Sequence, residues 1–149
     1  MTQTTNAATR TDAGLASELR VSVMRLARRL RSERDPHNEL SVSSISVLGV
    51  LSRGGECTIG QLAGYEWVQP PSMTRKVNAL VEGGYVVRRP HETDGRQVLV
   101  ALSERGREVI VADRRRRDAW LNRRLGELTP GERNVLRQAA RLLDGLATA

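Results

Sequence analysis

The stretch from Pro70 to Tyr85, PPSMTRKVNALVEGGY, constrains the fold of this chain more than any other. Its apolar residues recur at helical spacing on one side, which predicts a helix with one buried face. The apolar side carries Met73, Val77, Leu80 and Val81, and the opposite side carries Arg75, Asn78, Ala79 and Glu82. Paired prolines fit a first helical turn, and Gly83-Gly84 ends the helix. The rest of the chain must supply the core that holds this helix.

The start of this helix is unusual because paired prolines provide no side-chain cap. We expect the backbone N–H groups near Ser72 and Met73 to be free for a phosphate oxygen. Hydroxyls at Ser72 and Thr74 and cations at Arg75 and Lys76 lie beside that end. This combination suits entry into a DNA major groove. The alternative is a surface helix whose charges are merely solvated.

The segments before this helix also have helical patterns. From Leu15 to Arg31 apolar residues recur in steps of three and four, a seam that requires another helix. Ser41 is expected to cap a second helix that runs to Leu51 and belongs to the core. Thr58 and Gln61 have the spacing of a capping box, which opens a short helix. The resulting order of helix, short turn and helix is that of a helix-turn-helix.

After Gly84 the pattern changes to that of strands. The runs 85–89 and 97–102 are rich in β-branched residues, with Asp94-Gly95 between them, which predicts a β-hairpin. Its tip, 90–96, is too polar to pack and carries Arg96. An exposed arginine beside a helix-turn-helix can enter the narrow minor groove. The alternative is a hairpin loop that only caps the core.

Two further helices are predicted in the last third of the chain. Ser103 begins one that continues to about Leu125, and Thr129, Pro130 and Glu132 give a capping box that opens the other. The run Arg114–Arg117 could be a nucleic-acid patch. Its i,i+4 spacing to Asp113 and Asp118 instead favours a solvated, salt-bridged helix. The apolar stripe of the last helix consists of Val135, Leu136, Ala139, Leu142, Leu143 and Leu146.

The charge balance indicates a polyanionic partner. The 149 residues include 24 Lys+Arg against 17 Asp+Glu, a net charge of +7, which places nucleic acid first among the candidates. Aromatic residues make up only 3% and there is no Phe, so a surface that stacks single-stranded bases is hard to assemble. Duplex DNA is therefore the expected partner.

Several other classes of protein are disfavoured. The single Cys57 excludes an intrachain disulfide and a Cys-based zinc cluster, and it reads as a small packed thiol rather than a redox sensor. No nucleotide, protease or hydrolase motif is present, so we expect no catalytic residues, metal or cofactor. With no apolar run of about 20 residues and no secretory h-region, the expected location is cytoplasmic.

These elements predict a mostly α fold, a winged helix-turn-helix with a two-stranded β-wing flanked by dimerisation helices. We divide the chain into a disordered tail at 1–12, an N-terminal dimerisation helix and loop at 13–40, the DNA-binding module at 41–102 and C-terminal dimerisation helices at 103–149. The terminal helices carry more apolar stripe than the module needs. A second copy of the chain is the economical cover.

The run from Leu40 to Gly106 resembles the MarR family of bacterial winged-helix transcription regulators. The resemblance rests on SMTRKVNALVEGGYVVR, on the Asp94-Gly95-Arg96 wing tip and on VLVALSERG. It implies an obligate homodimer that binds a pseudopalindromic operator, represses transcription and releases DNA when a small effector binds. Some similar proteins sense oxidants through a cysteine in the first helix, and this chain has none there.

The resemblance also implies the site residues, although it does not indicate which residues would bind an effector. The DNA-binding candidates are Gln69, Ser72, Thr74, Arg75, Lys76 and, in the minor groove, Arg96. Asp94 would stabilise the wing by pairing with an arginine. The alternative function is a nonspecific architectural DNA-binding protein, which the net charge fits but which lacks an obvious intercalating wedge at the wing tip.

Overall fold

The computed structural model describes residues 12–149. A tail was predicted at 1–12. Residues 1–11 of it lie outside the described residues, and Asp12 belongs to the first helix. The elements in chain order are α1 (Asp12–Ser32), α2 (Val42–Gly54), β1 (Cys57–Thr58), α3 (Ile59–Tyr65), α4 (Pro70–Glu82), β2 (Val86–Pro90), β3 (Val98–Leu102), α5 (Glu104–Gly126) and α6 (Pro130–Thr148). This mostly helical winged fold confirms the predicted class.

The predicted helix caps are present. The Ser41 hydroxyl accepts the Ser44 N–H at 3.2 Å at the start of α2. In the box that opens α3, the Gln61 N–H donates to the Thr58 hydroxyl at 3.1 Å and the Thr58 N–H donates to the Gln61 side chain at 2.9 Å. Thr129 and Glu132 form the same reciprocal pair at α6. Each cap satisfies N–H groups that the first helical turn leaves without a partner.

The sheet has three antiparallel strands in the order β1-β3-β2. The predicted hairpin is confirmed, with Val86 opposite Leu102 and Pro90 opposite Val98. A third strand, β1, was not predicted, and in it Cys57 lies opposite Val100. Two residues are too few to show an alternating pattern, so this strand exists only through its pairing with β3.

The hydrophobic core is formed by α2, α3, α4, the sheet and the start of α5. It consists of Ile45, Val47, Leu48, Leu51, Cys57, Leu62, Ala63, Met73, Val77, Leu80, Val86, Val100 and Ile110. Cys57 is buried, its thiol lies 3.5 Å from the carbonyl oxygen of Gly55, and burial raises the pKa of the thiol. The protonated thiol is the inert form, which agrees with the prediction of a packed residue.

A close approach joins the root of the hairpin to α5. The Ser103 N–H donates to the carbonyl oxygen of Tyr85 at 3.0 Å. Gly106, one helical turn into α5, is buried, and a Cβ built there would lie 2.0 Å from the same oxygen. Only glycine fits this contact without moving the backbone.

The chain divides into two compact units, one spanning Arg34–Arg115 and the other combining the described residues up to Glu33 with Arg116–Ala149. In the second unit neither α1 nor α6 has a buried residue. In the same unit the guanidinium groups of Arg29 and Arg124 lie over the ring of Trp120. Their Cζ atoms are 4.7 and 5.7 Å from the ring centroid. The apolar stripes predicted for α1 and α6 are thus largely exposed in the single chain.

Candidate nucleic-acid interface

Helix α4 presents one face to the core and one to solvent, as its spacing predicted. Met73, Val77 and Leu80 are buried and anchor the helix to the core. The side chains of the predicted DNA-binding residues at its start lie on the other face. Gln69, Ser72, Thr74 and Arg75 are exposed, and Lys76 is half-buried.

The backbone at the start of α4 differs from the expectation. The N–H groups of Ser72 and Met73 both donate to the carbonyl oxygen of Gln69, at 3.0 and 3.2 Å. Pro70 and Pro71 have no N–H to offer. The prediction of free donors near Ser72 and Met73 was therefore wrong, because the prolines occupy the uncapped positions and the next two donors share one acceptor. The first turn of α4 therefore offers an anion side-chain donors but no backbone N–H.

The hydroxyl and guanidinium groups at this end already interact with one another. The Thr74 hydroxyl donates to the carbonyl oxygen of Pro70 at 3.0 Å, so it is left as an acceptor. Arg75 approaches the Ser72 hydroxyl oxygen at 3.4 Å. Because a guanidinium can only donate, the Ser72 hydroxyl keeps its own hydrogen for another acceptor. Ser72 and Arg75 are thus paired donors on the exposed face.

The wing tip is ordered by two polar side chains. The Asp94 carboxylate accepts the backbone N–H of Arg96 at 3.1 Å, and the Gln97 N–H donates to the Asp94 carbonyl at 3.0 Å. The ring Nδ1 of His91 accepts the N–H groups of Thr93 and Asp94 at 3.3 and 3.2 Å. Asp94 therefore contacts the backbone of Arg96, while the Arg96 side chain is exposed.

Two arginines outside the predicted set are held by neighbouring side chains. Arg89 on β2 forms an ion pair with Glu56, which raises the pKa of the guanidinium. Arg114, the first of the four consecutive arginines in α5, donates to the Ser52 hydroxyl at 3.1 Å. This contact gives Arg114 a structural role in the unit 34–115, whereas the i,i+4 pairing of the run with Asp113 and Asp118 stays a prediction.

Sequence reasoning missed Trp67, which occupies the turn between α3 and α4. Large residues near helix junctions are usually packed, yet its side chain is 94% exposed. It is also the only non-glycine residue with a positive φ, 55°, in the described part of the chain. A signal was available in the sequence, because the turn GYEWVQ has no glycine after Gly64 to adopt a left-handed conformation at the end of α3.

Two other kinds of feature are absent from residues 12–149. None of these helices is both long and apolar enough to cross a membrane. No group of three His, Cys, Asp or Glu side chains in the same range could hold a metal ion.

Comparison with known proteins gives consistent matches. The model of the MarR family matches residues 39–97. The chain is 50% identical over 132 residues to the uncharacterized HTH-type transcriptional regulator Mb0904 of Mycobacterium bovis, covering 89% of this chain and 92% of that protein. A transcriptional regulator protein from Pseudomonas aeruginosa is 34% identical with a TM-score of 0.78, covering 93% of this chain and 96% of that one.

One structure with the same fold contains DNA. Streptococcus pneumoniae FabT, solved in complex with DNA, is 20% identical with a TM-score of 0.72, covering 91% of this chain and 96% of that one. The family match includes α2, α3, α4 and the wing tip, and the Mycobacterium relative extends the likeness to most of both chains. The chain therefore belongs to the MarR family of HTH-type transcriptional regulators.

Proposed function

We propose that this regulator acts as a homodimer that binds a pseudopalindromic operator in double-stranded DNA and represses transcription. The observation that carries the proposal is the exposed face of α4, where Ser72 and Arg75 lie together. The opposite face of the helix is held in the core by the buried Met73, Val77 and Leu80. A rigid helix that presents donors from its first turn is the arrangement that reads base edges in the major groove. Binding to the chromosome would place the protein in the cytoplasm.

The wing would supply the second contact with DNA. Arg96 is exposed on a tip whose backbone is fixed by Asp94 and His91. A fixed backbone limits the conformational freedom that an arginine side chain must lose when it binds in the minor groove. The fold shared with FabT, which has been solved in complex with DNA, supports DNA binding by this chain.

The proposal of a homodimer rests on the unit that combines the described residues up to Glu33 with Arg116–Ala149. Neither α1 nor α6 buries a residue, although both carry long apolar stripes. Ordering a residue costs about 1 to 2 kcal/mol of conformational entropy, which buried apolar area must offset. A second copy of the chain would bury these stripes in a symmetric interface. Domain boundaries at 13–40 and 103–149 remain our proposal for the dimerisation segments.

The dimer would set the spacing of the two α4 helices. Each would read one half-site, so their separation must match about one turn of B-DNA, ~34 Å. A small-molecule effector, which the family resemblance implies, would need only to favour a different spacing. A coupling of 1 to 3 kcal/mol corresponds to roughly a 5- to 150-fold loss of DNA affinity.

Selection of genomic fragments by the purified protein tests the proposed function. We expect the bound fragments to share an inverted repeat whose halves are about one helical turn apart. A competition assay against random duplex should then show a strong preference for that repeat. Equal affinity for both duplexes would contradict operator recognition and favour the architectural alternative.

A further inference from the structure

Trp67 combines the largest exposed apolar side chain of the helix-turn-helix with a strained backbone. Its side chain is 94% exposed. Among residues 12–149 the indole ring takes part in no hydrogen bond and no cation–π contact. Tyr65 and Val68, on either side in the same segment, are exposed as well. Packing within the chain therefore does not explain why a tryptophan stands here.

The backbone conformation at Trp67 is required by the end of α3. The Trp67 N–H donates to the Gly64 carbonyl at 3.3 Å and the Val68 N–H donates to the Ala63 carbonyl at 3.0 Å. These two bonds are those of a Schellman motif, in which the residue at the position of Trp67 adopts the left-handed conformation. Glycine takes that conformation without strain, whereas a bulky residue with a φ of 55° is an outlier. The turn would therefore be more stable with glycine.

The position of Trp67 places it beside the predicted DNA contacts. It precedes Gln69, the N-cap of α4, by two residues, so the Cα atoms of the two are at most about 7.6 Å apart. The first turn of α4 offers no backbone donor, because the Ser72 and Met73 N–H groups bind the Gln69 carbonyl and the two prolines have no N–H. Side chains are therefore the main source of donors for a phosphate oxygen beside this turn, and the indole N–H of Trp67 is a donor with no acceptor capacity.

We propose that Trp67 contacts the sugar–phosphate backbone of DNA at the edge of each half-site. Its Nε1–H donates to a phosphate oxygen, and its ring covers the adjacent deoxyribose. This contact rests on the proposed function, and it extends the interface from α4 and the wing to the turn of the helix-turn-helix. A phosphate contact carries no sequence information, so Trp67 contributes affinity for every duplex alike.

Tryptophan fluorescence gives a direct test, because Trp67 and Trp120 are the two tryptophans of the chain. In Trp120→Phe the emission reports Trp67 alone. Phenylalanine keeps an aromatic ring beside Arg29 and Arg124, and the affinity of Trp120→Phe for the selected duplex, measured first, is the reference for its quenching. Adding this duplex should shift the emission and lower acrylamide quenching of Trp67 at least about twofold, because a ring packed on DNA is shielded from solvent.

Two substitutions separate the hydrogen bond from the ring. Trp67→Phe keeps a ring but has no N–H, and we expect about fivefold weaker binding. Trp67→Gly removes both groups, and we expect about tenfold weaker binding, by the same factor for cognate and random duplex. Its thermal midpoint should equal or exceed that of the wild type because glycine relieves the strained φ. If that midpoint falls instead, weaker binding by Trp67→Gly could come from destabilisation. The quenching of Trp67 in Trp120→Phe then decides whether the residue contacts DNA.

The outcomes distinguish this inference from the proposed function. If the wild type shows no preference for any fragment over random duplex, operator recognition fails, whereas lowered quenching of Trp67 on random duplex would still support the phosphate contact. If the wild type binds its fragment while Trp67 stays equally accessible to acrylamide, the contact is overturned and operator binding stands. Unchanged affinity of Trp67→Gly would overturn the contact in the same way.

Discussion

The exposed stripe of α6 allows a quantitative prediction about dimerisation. Leu142 is 71% exposed in the single chain, on the same helical face as the 69% exposed Leu146. In a symmetric dimer that joins these faces, both copies of Leu142 would be buried. We expect Leu142→Ala to weaken the dimer without unfolding the unit 34–115, because Leu142 lies in the other unit.

The magnitude follows from the area that the dimer would bury. Complete burial of a leucine side chain is worth about 1.5 to 3 kcal/mol, and an exposed fraction of 71% leaves about 1 to 2 kcal/mol of that for association. Alanine retains part of the gain, so each copy would lose roughly 1 kcal/mol. Two copies per dimer give about 2 kcal/mol, which raises the dissociation constant of the dimer about 30-fold.

Sedimentation velocity with a fluorescent label, over a dilution series, measures this constant directly. Asn134→Ala is a control in the same helix, since Asn134 is exposed outside the apolar stripe and the change is also uncharged. We expect Asn134→Ala to leave the constant within about twofold of the wild type. A wild-type protein that is monomeric, yet still prefers its operator, would refute the dimer. Equal constants for Leu142→Ala and the wild type would remove α6 from the interface.

Three further substitutions test the remaining parts of the structure. Arg96→Ala should weaken operator binding and reduce the slope of log affinity against log salt by about one per protomer, because each neutralised phosphate releases about 0.9 counterion; an unchanged slope in a salt titration would exclude the wing contact. Arg75→Ala should relax preference at one position of each half-site, measured by binding to a panel of substituted operators, whereas uniform weakening would identify a phosphate contact. Gly106→Ala should lower the free energy of unfolding, measured by urea denaturation, by at least about 3 kcal/mol, because the alanine Cβ would lie 2.0 Å from the Tyr85 carbonyl oxygen. A loss below about 1 kcal/mol would show that the contact relaxes easily.

The features that the sequence predicted well depend on atoms close together along the chain. A capping box joins residues three apart, so Thr58 with Gln61 and Thr129 with Glu132 could be identified from spacing alone. The buried face of α4 also follows from a local period. Strand β1 could not be found in this way, because its two residues form a strand only by pairing with β3, which lies some forty residues later.

The errors at the candidate site came from competing local rules. Paired prolines at the start of α4 suggested an open anion site, yet the same prolines remove two N–H groups and the Gln69 carbonyl takes the next two. The size of Trp67 alone favours a packed position. The hydrogen bonds that end α3 instead fix its backbone in a left-handed conformation, and its side chain points into solvent. Which residues touch DNA or an effector depends on a partner, and the sequence alone does not contain that geometry.

The distribution of buried residues links folding, association and DNA binding. Every buried residue in the described part of the chain lies between Arg34 and Arg115, in the unit that carries α4 and the wing. That unit therefore has its own core, whereas α1 and α6 bury no residue and would gain their stability from association in the proposed dimer. An effector that altered the interface of α1 and α6 would leave each α4 folded and able to contact a single half-site. Operator affinity would then fall because the second half-site is lost, and not because either DNA-binding unit unfolds.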